Sequence, residues 1–332
     1  MSTTRRAVVI ARHGGPEVLE VRAVPAVEPG PDEVRLAVTH VGLNHLDTWV
    51  RRGVPGHDFH LPRIPGSDVA GEAEGRRWAL APSWGCGACE ACAGGRTNRC
   101  RRFQIRGETT DGGCAEHVVV PRAHLLPIPD AVSSAEAASL PLALLTAWHM
   151  LVARARLRPG ERVLVQAGAS GVGVMAIQIA LDLGCDVHAT ASTEARRERL
   201  SALGATAWPY DAIGARNFDV VVESVGASTW DRSIRALGWG GRLVCCGATS
   251  GPQATLDLRV LFFKQLDVLG STMGTDADLR AAWALVAAGR VRPVVDRVLP
   301  MTRLAEAHAL LERREAFGKV VMAQDLAGTE TV

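Results

Sequence analysis

The sequence predicts an α/β protein with two parts, one rich in β-strands and one built on a doubly wound parallel sheet. Three observations carry this. From about Glu161 onward, short apolar strands alternate with helices in units the size of βαβ crossovers. Before that point, short apolar runs sit between Gly, Pro and Asp punctuation such as Pro29-Gly30-Pro31-Asp32. A glycine-rich turn joins the first strand of the alternating region to its first helix.

In the first part, Ala7–Ile10, Val34–Val41 and His117–Val120 read as strands because they are short, branched and apolar. In the second, a strand at Arg162–Gln166 leads through Gly168–Gly173 into a helix at Val174–Leu183, which Gly184 stops. Then come a strand at Val187–Ala191, a charged helix at Thr193–Leu203, a strand at Phe218–Glu223, a helix at Trp230–Leu237 and a strand at Arg242–Cys246. After Gly270 the rhythm breaks into a helix at Leu279–Ala288, an extended piece at Val294–Val298, a helix at Leu304–Arg313 and a strand at Lys319–Met322. No internal repeat or low-complexity linker interrupts the chain, so the tail is expected to return to the first part.

Composition narrows the function. A chain of 332 residues with 47% apolar and 22% charged content can fill two cores, which excludes a disordered chain or a small peptide-binding module. With 37 basic against 35 acidic residues and no long tract of one sign, charge gives no support to polyanion binding. The apolar stretch Ala7–Ala11 is too short for a secretory leader. Ala138–Val152, broken by Pro141, Thr146 and His149, is too short for a membrane span. A cytoplasmic protein with reduced thiols is therefore expected. There, five of eight cysteines between Cys86 and Cys114 point to metal or catalysis. The single tyrosine, Tyr210, nearly removes tyrosine as a catalytic acid.

Cys86-x2-Cys89-x2-Cys92-x7-Cys100 is the strongest local signal. Four thiolates within fifteen residues, spaced by Gly87, Gly94 and Gly95, suit one tetrahedral zinc in a closed structural site with no position for substrate. The turn Gly168-Ala169-Ser170-Gly171-Val172-Gly173 has the small residues and the strand-to-helix setting that a pyrophosphate requires. At the tip of the next strand, where an NAD site carries an acid, stand Ser192 and Thr193, followed by Arg196, Arg197 and Arg199. Hydroxyls and guanidiniums in place of a carboxylate suit a 2′-phosphate, so NADP(H) is preferred, with Glu194 the one dissenting residue. The cluster Arg96, Arg99, Arg101, Arg102 and Arg106 beside Phe103 reads as a solvated lobe surface before it reads as a contact for RNA or a coenzyme A phosphate. Cys185, Cys245 and Cys246 read as small buried hydrophobes, and Cys114, with no base near it in the sequence, is not expected to be a nucleophile.

Together these motifs resemble the medium-chain dehydrogenase/reductase superfamily, in its quinone oxidoreductase-like branch that carries a zinc lobe. The resemblance rests on Gly42-Leu43-Asn44-His45-Leu46-Asp47, the run Ile64 to Glu72, the four-cysteine lobe, Asp111-Gly112-Gly113, Leu140 to Trp148, the glycine turn and Gly318-Lys319-Val320-Val321. It implies a GroES-like catalytic domain of residues 1–126 and 274–332, with the zinc lobe at 86–100 and a Rossmann domain inserted at 127–273. It also implies a homodimer paired through the edge of the Rossmann sheet, Thr146 at the nicotinamide end of the cofactor and Lys319 near its phosphates.

The departures define the expected chemistry. The zinc alcohol dehydrogenases of this superfamily hold a catalytic zinc through Cys, His and Cys. Here Asn44 and Ser67 stand at the first two positions, and Leu140–Ala147 contains no cysteine. A substitute site from His45, Asp47, His57, His60 and Asp68 is the weaker expectation. Without a Lewis acid, an enone or quinone suits the site better than a plain ketone, because hydride addition at the β-carbon leaves an enolate that neutral donors can stabilise. Asn44 and Ser67 are the candidate donors. Asp47 orients Asn44 or the ribose, or simply caps its loop, and Trp49 shapes or stacks on a flat substrate. The expected function is reduction of quinones or α,β-unsaturated carbonyl compounds with NADPH, one structural zinc and no catalytic zinc. The rival readings are a zinc-dependent alcohol dehydrogenase with replaced ligands and a non-catalytic NADPH- or RNA-binding protein.

Overall fold

In the computed structural model, residues 3–326 are described. The ends of the expected first domain, 1–2 and 327–332, lie outside them. The chain divides into two compact units, Met1–Leu142 with Pro293–Val332, and Ala143–Arg292.

The first unit joins both chain ends through one seven-stranded sheet. Its order is Val295–Pro300, Lys319–Ala323, Glu33–Gly42, Asp68–Ala73, Arg76–Leu80 and Leu125–Pro127, with His117–Pro121 also paired to Glu33–Gly42. The strand Lys319–Ala323 runs antiparallel to Glu33–Gly42 with Val321 opposite Gly42, and the Leu43 N–H reaches the Val320 carbonyl at 2.9 Å. That register carries Lys319 to the segment that begins at Asn44. The core beneath the sheet combines Val34, Leu36, Val41 and Val69 with Met301, Leu304, Val320 and Met322, so neither end of the chain closes it alone.

The second unit is a six-stranded parallel sheet in the order Thr206–Trp208, Asp186–Thr190, Arg162–Val165, Phe218–Glu223, Leu237–Cys245, Asp267–Gly270. The sequence switches direction after the strand at 162–165, and the carboxyl ends flanking that switch are where a doubly wound sheet binds ligands. Gly173 lets the helix Gly171–Asp182 sit down on the turn, because a Cβ there would stand 2.5 Å from the Ala167 carbonyl oxygen.

The expected strands and helices are present, most within a few residues of the expected bounds. The domain boundaries fall later than expected. Leu125–Pro127 pairs with Arg76–Leu80 and so belongs to the first unit. The helix Asp276–Ala287 belongs to the second, where Asp278 bonds His149 at 2.8 Å.

Candidate active site

In the first unit, the helix His45–Arg52 opens with a capping box. Asp47 turns back so that its Oδ2 accepts the Asn44 N–H at 2.7 Å, while its Oδ1 accepts the Gly66 N–H at 2.9 Å. One carboxylate thereby staples the Asn44 segment to the loop before Ser67. Burial pushes the Asp47 carboxyl up to about 6, against the two N–H donors that pull it down. Gly66 has φ +102°, and a Cβ there would meet Val41 at 2.8 Å and the Cys114 sulfur at 2.9 Å. Only glycine fits that approach.

Beside the staple lies a three-residue cluster. Lys319 Nζ donates to Asn44 Oδ1 at 2.6 Å and to Asp68 Oδ2 at 2.8 Å. Asn44 Nδ2 donates to the same Asp68 oxygen at 3.0 Å, and the Leu142 N–H donates to Asp68 Oδ1 at 2.7 Å. All three side chains are buried, Asp68 and Lys319 almost completely. The ammonium fixes which way the Asn44 amide points, since only its oxygen can accept from lysine.

The cluster bears on three expectations. Lys319, expected near the cofactor phosphates, has its ammonium engaged by Asn44 and Asp68, because its strand starts opposite the Asn44 segment. Ser67 is fully buried and its one hydroxyl proton goes to the Arg106 carbonyl at 2.6 Å, which leaves it no donor for a substrate. Asn44 keeps one loosely held N–H, whose contact to the Gly42 carbonyl is 3.5 Å, at the edge of bonding distance. Trp49 is half-buried on the same helix. Of the residues of the substitute metal site, Asp47 and Asp68 are committed as described, His57 pairs with Glu108 at 3.4 Å, and His60 is exposed.

Of the arginine cluster, Arg96, Arg99, Arg101 and Arg102 are exposed, as a solvated lobe requires, but Arg106 is buried with its guanidinium over the Trp84 ring. The four lobe cysteines bring their sulfurs within 4.8 Å of one another. Cys89 Sγ lies 3.5 Å from Cys92 Sγ and 3.6 Å from Cys100 Sγ. Tetrahedral Zn–S bonds of ~2.3 Å would put sulfurs ~3.8 Å apart, so the set fits zinc. The backbone N–H groups of Cys86 and Arg102 point at Cys100 Sγ at 3.4 and 3.3 Å, the outer hydrogen bonds that a zinc thiolate takes. Cys114 is fully buried and its thiol is pushed well up by burial, in keeping with a bystander.

In the second unit, Ser170 caps the helix Gly171–Asp182 by accepting the Gly173 N–H at 3.0 Å. The turn reaches that helix through Ala167, held at φ +51°, a region costly for a residue with a Cβ. The open helix end follows the strand at 162–165 at its carboxyl edge and fits a pyrophosphate. Ser192 lies 3.4 Å from Arg196 Nη1, whereas Arg197 is paired to Glu194 at 2.5 Å. Thr146 is buried on the helix Pro141–Trp148. Tyr210 lies in this unit, in the short turn Tyr210–Ala212.

Sequence reading missed the network under the glycine turn. Thr190 Oγ1 accepts the Ala167 N–H at 3.1 Å and donates to Gln166 Oε1 at 2.7 Å. Gln166 Nε2 then donates to Ser233 Oγ at 3.0 Å, and Ser233 donates to Glu223 Oε2 at 2.6 Å. Glu223, fully buried, also accepts from the N–H groups of Val225 and Gly226 and from Thr229. The position of Glu223 at a strand end was the one available signal.

Comparison with known proteins agrees with both units. Residues 30–130 match the alcohol dehydrogenase GroES-like domain, and residues 171–288 match the zinc-binding dehydrogenase domain. A quinone oxidoreductase of Pseudomonas aeruginosa is 31% identical over 95% of this chain and 98% of its own length. An acryloyl-coenzyme A reductase of Metallosphaera sedula is 28% identical over 96% of this chain and 99% of its own. A solved NAD-dependent alcohol dehydrogenase superposes with a TM-score of 0.92 at 43% identity, covering 96% of this chain and 99% of that one. The sheet that unites the chain ends, the inserted parallel sheet and these full-length similarities agree: the chain is an oxidoreductase of the medium-chain dehydrogenase/reductase superfamily, in its quinone oxidoreductase-like branch.

Proposed function

We propose that the protein is a cytoplasmic, NADPH-dependent reductase of quinones or α,β-unsaturated carbonyl compounds that works with one structural zinc and no catalytic zinc. One observation carries this reading: a lysine ammonium is bonded to both Asn44 and Asp68, so a fixed cation already stands among the groups a second metal would need. The quinone and acryloyl-thioester reductases among the relatives act on the same kind of conjugated acceptor.

The nicotinamide cofactor supplies a hydride when bound. The open end of the helix at Gly171, with Gly168, Val172 and Gly173, would hold its phosphates, and Ser192 and Arg196 would hold a 2′-phosphate. Thr146 is assigned to the nicotinamide end. Lys319 polarises the Asn44 amide through its oxygen, which strengthens the N–H that Asn44 still has to offer an enolate oxygen. Asn44 is thus the catalytic donor and Lys319 its positioning residue. Ser67 and Asp47 hold the two loops, and Trp49 flanks a flat substrate. Cys86, Cys89, Cys92 and Cys100 hold the zinc.

The reading includes a homodimer. Asp267–Gly270 is an edge strand of the second unit's sheet, and exposed apolar side chains accompany it at Trp239, Leu258, Phe262, Phe263 and Val268. A second copy pairing edge to edge would cover them.

A panel of quinones, enones, enoyl thioesters and aldehydes, assayed with NADPH and NADH alongside zinc content, tests the proposal. NADPH oxidation with an enone or quinone at one zinc per chain is expected. Two zincs per chain, with activity lost along with the weaker one, would establish an alcohol dehydrogenase instead. NADPH binding with no turnover would establish a non-catalytic protein. For cofactor choice, Arg196→Ala should raise the KM for NADPH at least tenfold more than that for NADH, about the worth of one charge-assisted hydrogen bond. Equal effects would favour the NAD dependence of the 43%-identical alcohol dehydrogenase.

A further inference from the structure

Arg106 is 4% exposed, yet its guanidinium makes no hydrogen bond or ion pair among the described residues. It lies over the Trp84 ring, 5.1 Å away, close enough to His124 to disfavour a charge there. Its Nε and Nη2 are both buried and unpartnered. Arg5, 7% exposed, donates through Nη1 to the His117 carbonyl but leaves its own Nε in the same condition, as is the hydroxyl of Thr110. These three side chains line one cavity of about 330 Å³, together with Trp84, Val118 and Gly112. Burying a charged group without a partner costs several kcal/mol, so an unpaired buried guanidinium lining a hollow beside a second arginine and a threonine calls for an acceptor there.

Two carboxylates also line the cavity, and both are committed elsewhere. Glu33 accepts the Gly30 N–H at 3.0 Å, and Asp111 accepts from the Ile64 N–H at 3.2 Å and from Arg63 at 3.3 Å. Asp111 is close enough to favour the charge on Arg5, but no ion pair joins either acid to Arg5 or Arg106. Neither acid supplies Arg106 with an acceptor.

We propose that this cavity is a binding site for a small oxyanion, a carboxylate or phosphate group on an organic molecule, gripped by Arg5, Arg106 and Thr110. The volume falls at the lower end of small-molecule pockets and exceeds what a free phosphate needs, which leaves room for a body beside Trp84. The site lies one hydrogen bond from Ser67, whose hydroxyl donates to the Arg106 carbonyl. Its floor is laced to the Ser67 loop through Gly112 N–H to Ile64 and Gly113 N–H to Gly66, at 2.7 and 2.8 Å. Nothing in it depends on the reductase assignment.

The test is thermal unfolding of the zinc-loaded protein against inorganic phosphate and, separately, acetate, with ionic strength held constant by chloride. A saturable rise in midpoint with at least one of them is expected, and the stronger anion identifies the group recognised. Arg106→Met should weaken that anion at least tenfold, and Thr110→Val several-fold, by loss of a charged and a neutral hydrogen bond. Arg196→Ala removes only the share of a phosphate rise that belongs to the nucleotide turn and should leave the share lost in Arg106→Met unchanged. If Arg106→Met does not fold, Arg5→Gln takes its place with the same expected loss. No saturable rise with either anion, a rise undiminished by the Arg106 or Arg5 change, or one abolished by Arg196→Ala would each overturn the site.

Discussion

Replacing Lys319 with methionine separates its possible roles. The change keeps the length of the side chain and removes the charge, which leaves the Asp68 carboxylate 0% exposed with two donors, Leu142 N–H at 2.7 Å and Asn44 Nδ2 at 3.0 Å. Breaking a buried ion pair costs ~3–5 kcal/mol, and the two remaining donors put this case at the lower end, about 3 kcal/mol. Adding Asp68→Asn removes the second charge while an amide oxygen still accepts from Leu142, so the double variant should recover about 2 kcal/mol of that loss. Activity should behave differently. Without the ammonium the Asn44 amide is no longer polarised, and kcat should fall about 100-fold in the single and double variants alike, as when one preorganised donor is removed. The KM for NADPH should stay within about threefold, because an interaction made in the transition state lowers kcat and not ground-state binding. Stability by urea titration and steady-state kinetics with NADPH and an enone measure all four quantities. A tenfold rise in the KM for NADPH with kcat preserved would return Lys319 to the cofactor phosphates. A double variant that regains both stability and activity would make the pair purely structural.

Three further outcomes are open to measurement. Because burial raises the Asp47 carboxyl from 3.8 to about 6, the folded state binds its proton more tightly than the unfolded state, so its contribution is intact below about pH 4 and is lost as pH rises through 6. Between pH 4 and 7 the wild type should therefore lose roughly 2.5 kcal/mol relative to Asp47→Asn, most of two pKa units at ~1.4 kcal/mol each. A stability difference that is flat across that range would refute the assignment. Cys92→Ser should remove the lobe zinc, read as a fall to well below one equivalent per chain by elemental analysis, and expose Arg96, Arg99 and Arg101 to trypsin while dinucleotide binding persists. Retained zinc, or unchanged cleavage, would count against the lobe as a metal-stapled unit. Phe262→Glu combined with Phe263→Glu should convert a dimer to a monomer in sedimentation velocity, and a dimer that survives both changes would place the contact elsewhere.

What the sequence could reveal followed the range over which its information acts. The cysteine lobe and the glycine turn were legible because each is local: four cysteines lie within fifteen residues, and the turn is bracketed by its own strand and helix. The alternating strands and helices of the second unit were legible for the same reason. The domain edge near Leu125–Pro127 was not, because that short strand is assigned only by its pairing with Arg76–Leu80. Arg106 sits in a basic run whose composition says surface, and its burial follows from the fold around Trp84.

The active-site cluster shows where the limit lies. Asn44 and Ser67 were both readable as neutral donors, since each stands where a metal ligand is missing. Which of them still has a proton to give depends on partners far along the chain: Asp68 and Lys319 face Asn44 from 24 and 275 positions away, and Arg106 faces Ser67 from 39. No periodicity links those positions, because hydrogen bonds between loops and strand ends leave no repeat in the sequence. Once the bonds are counted, Ser67 has none left and Asn44 has one N–H held at 3.5 Å. Motif position nominates Asn44 and Ser67, but the competition for each proton decides which of them has an N–H or O–H left to offer. On this fold that competition is decided by the return of the chain's end, at Lys319, to the strand that leads into Asn44.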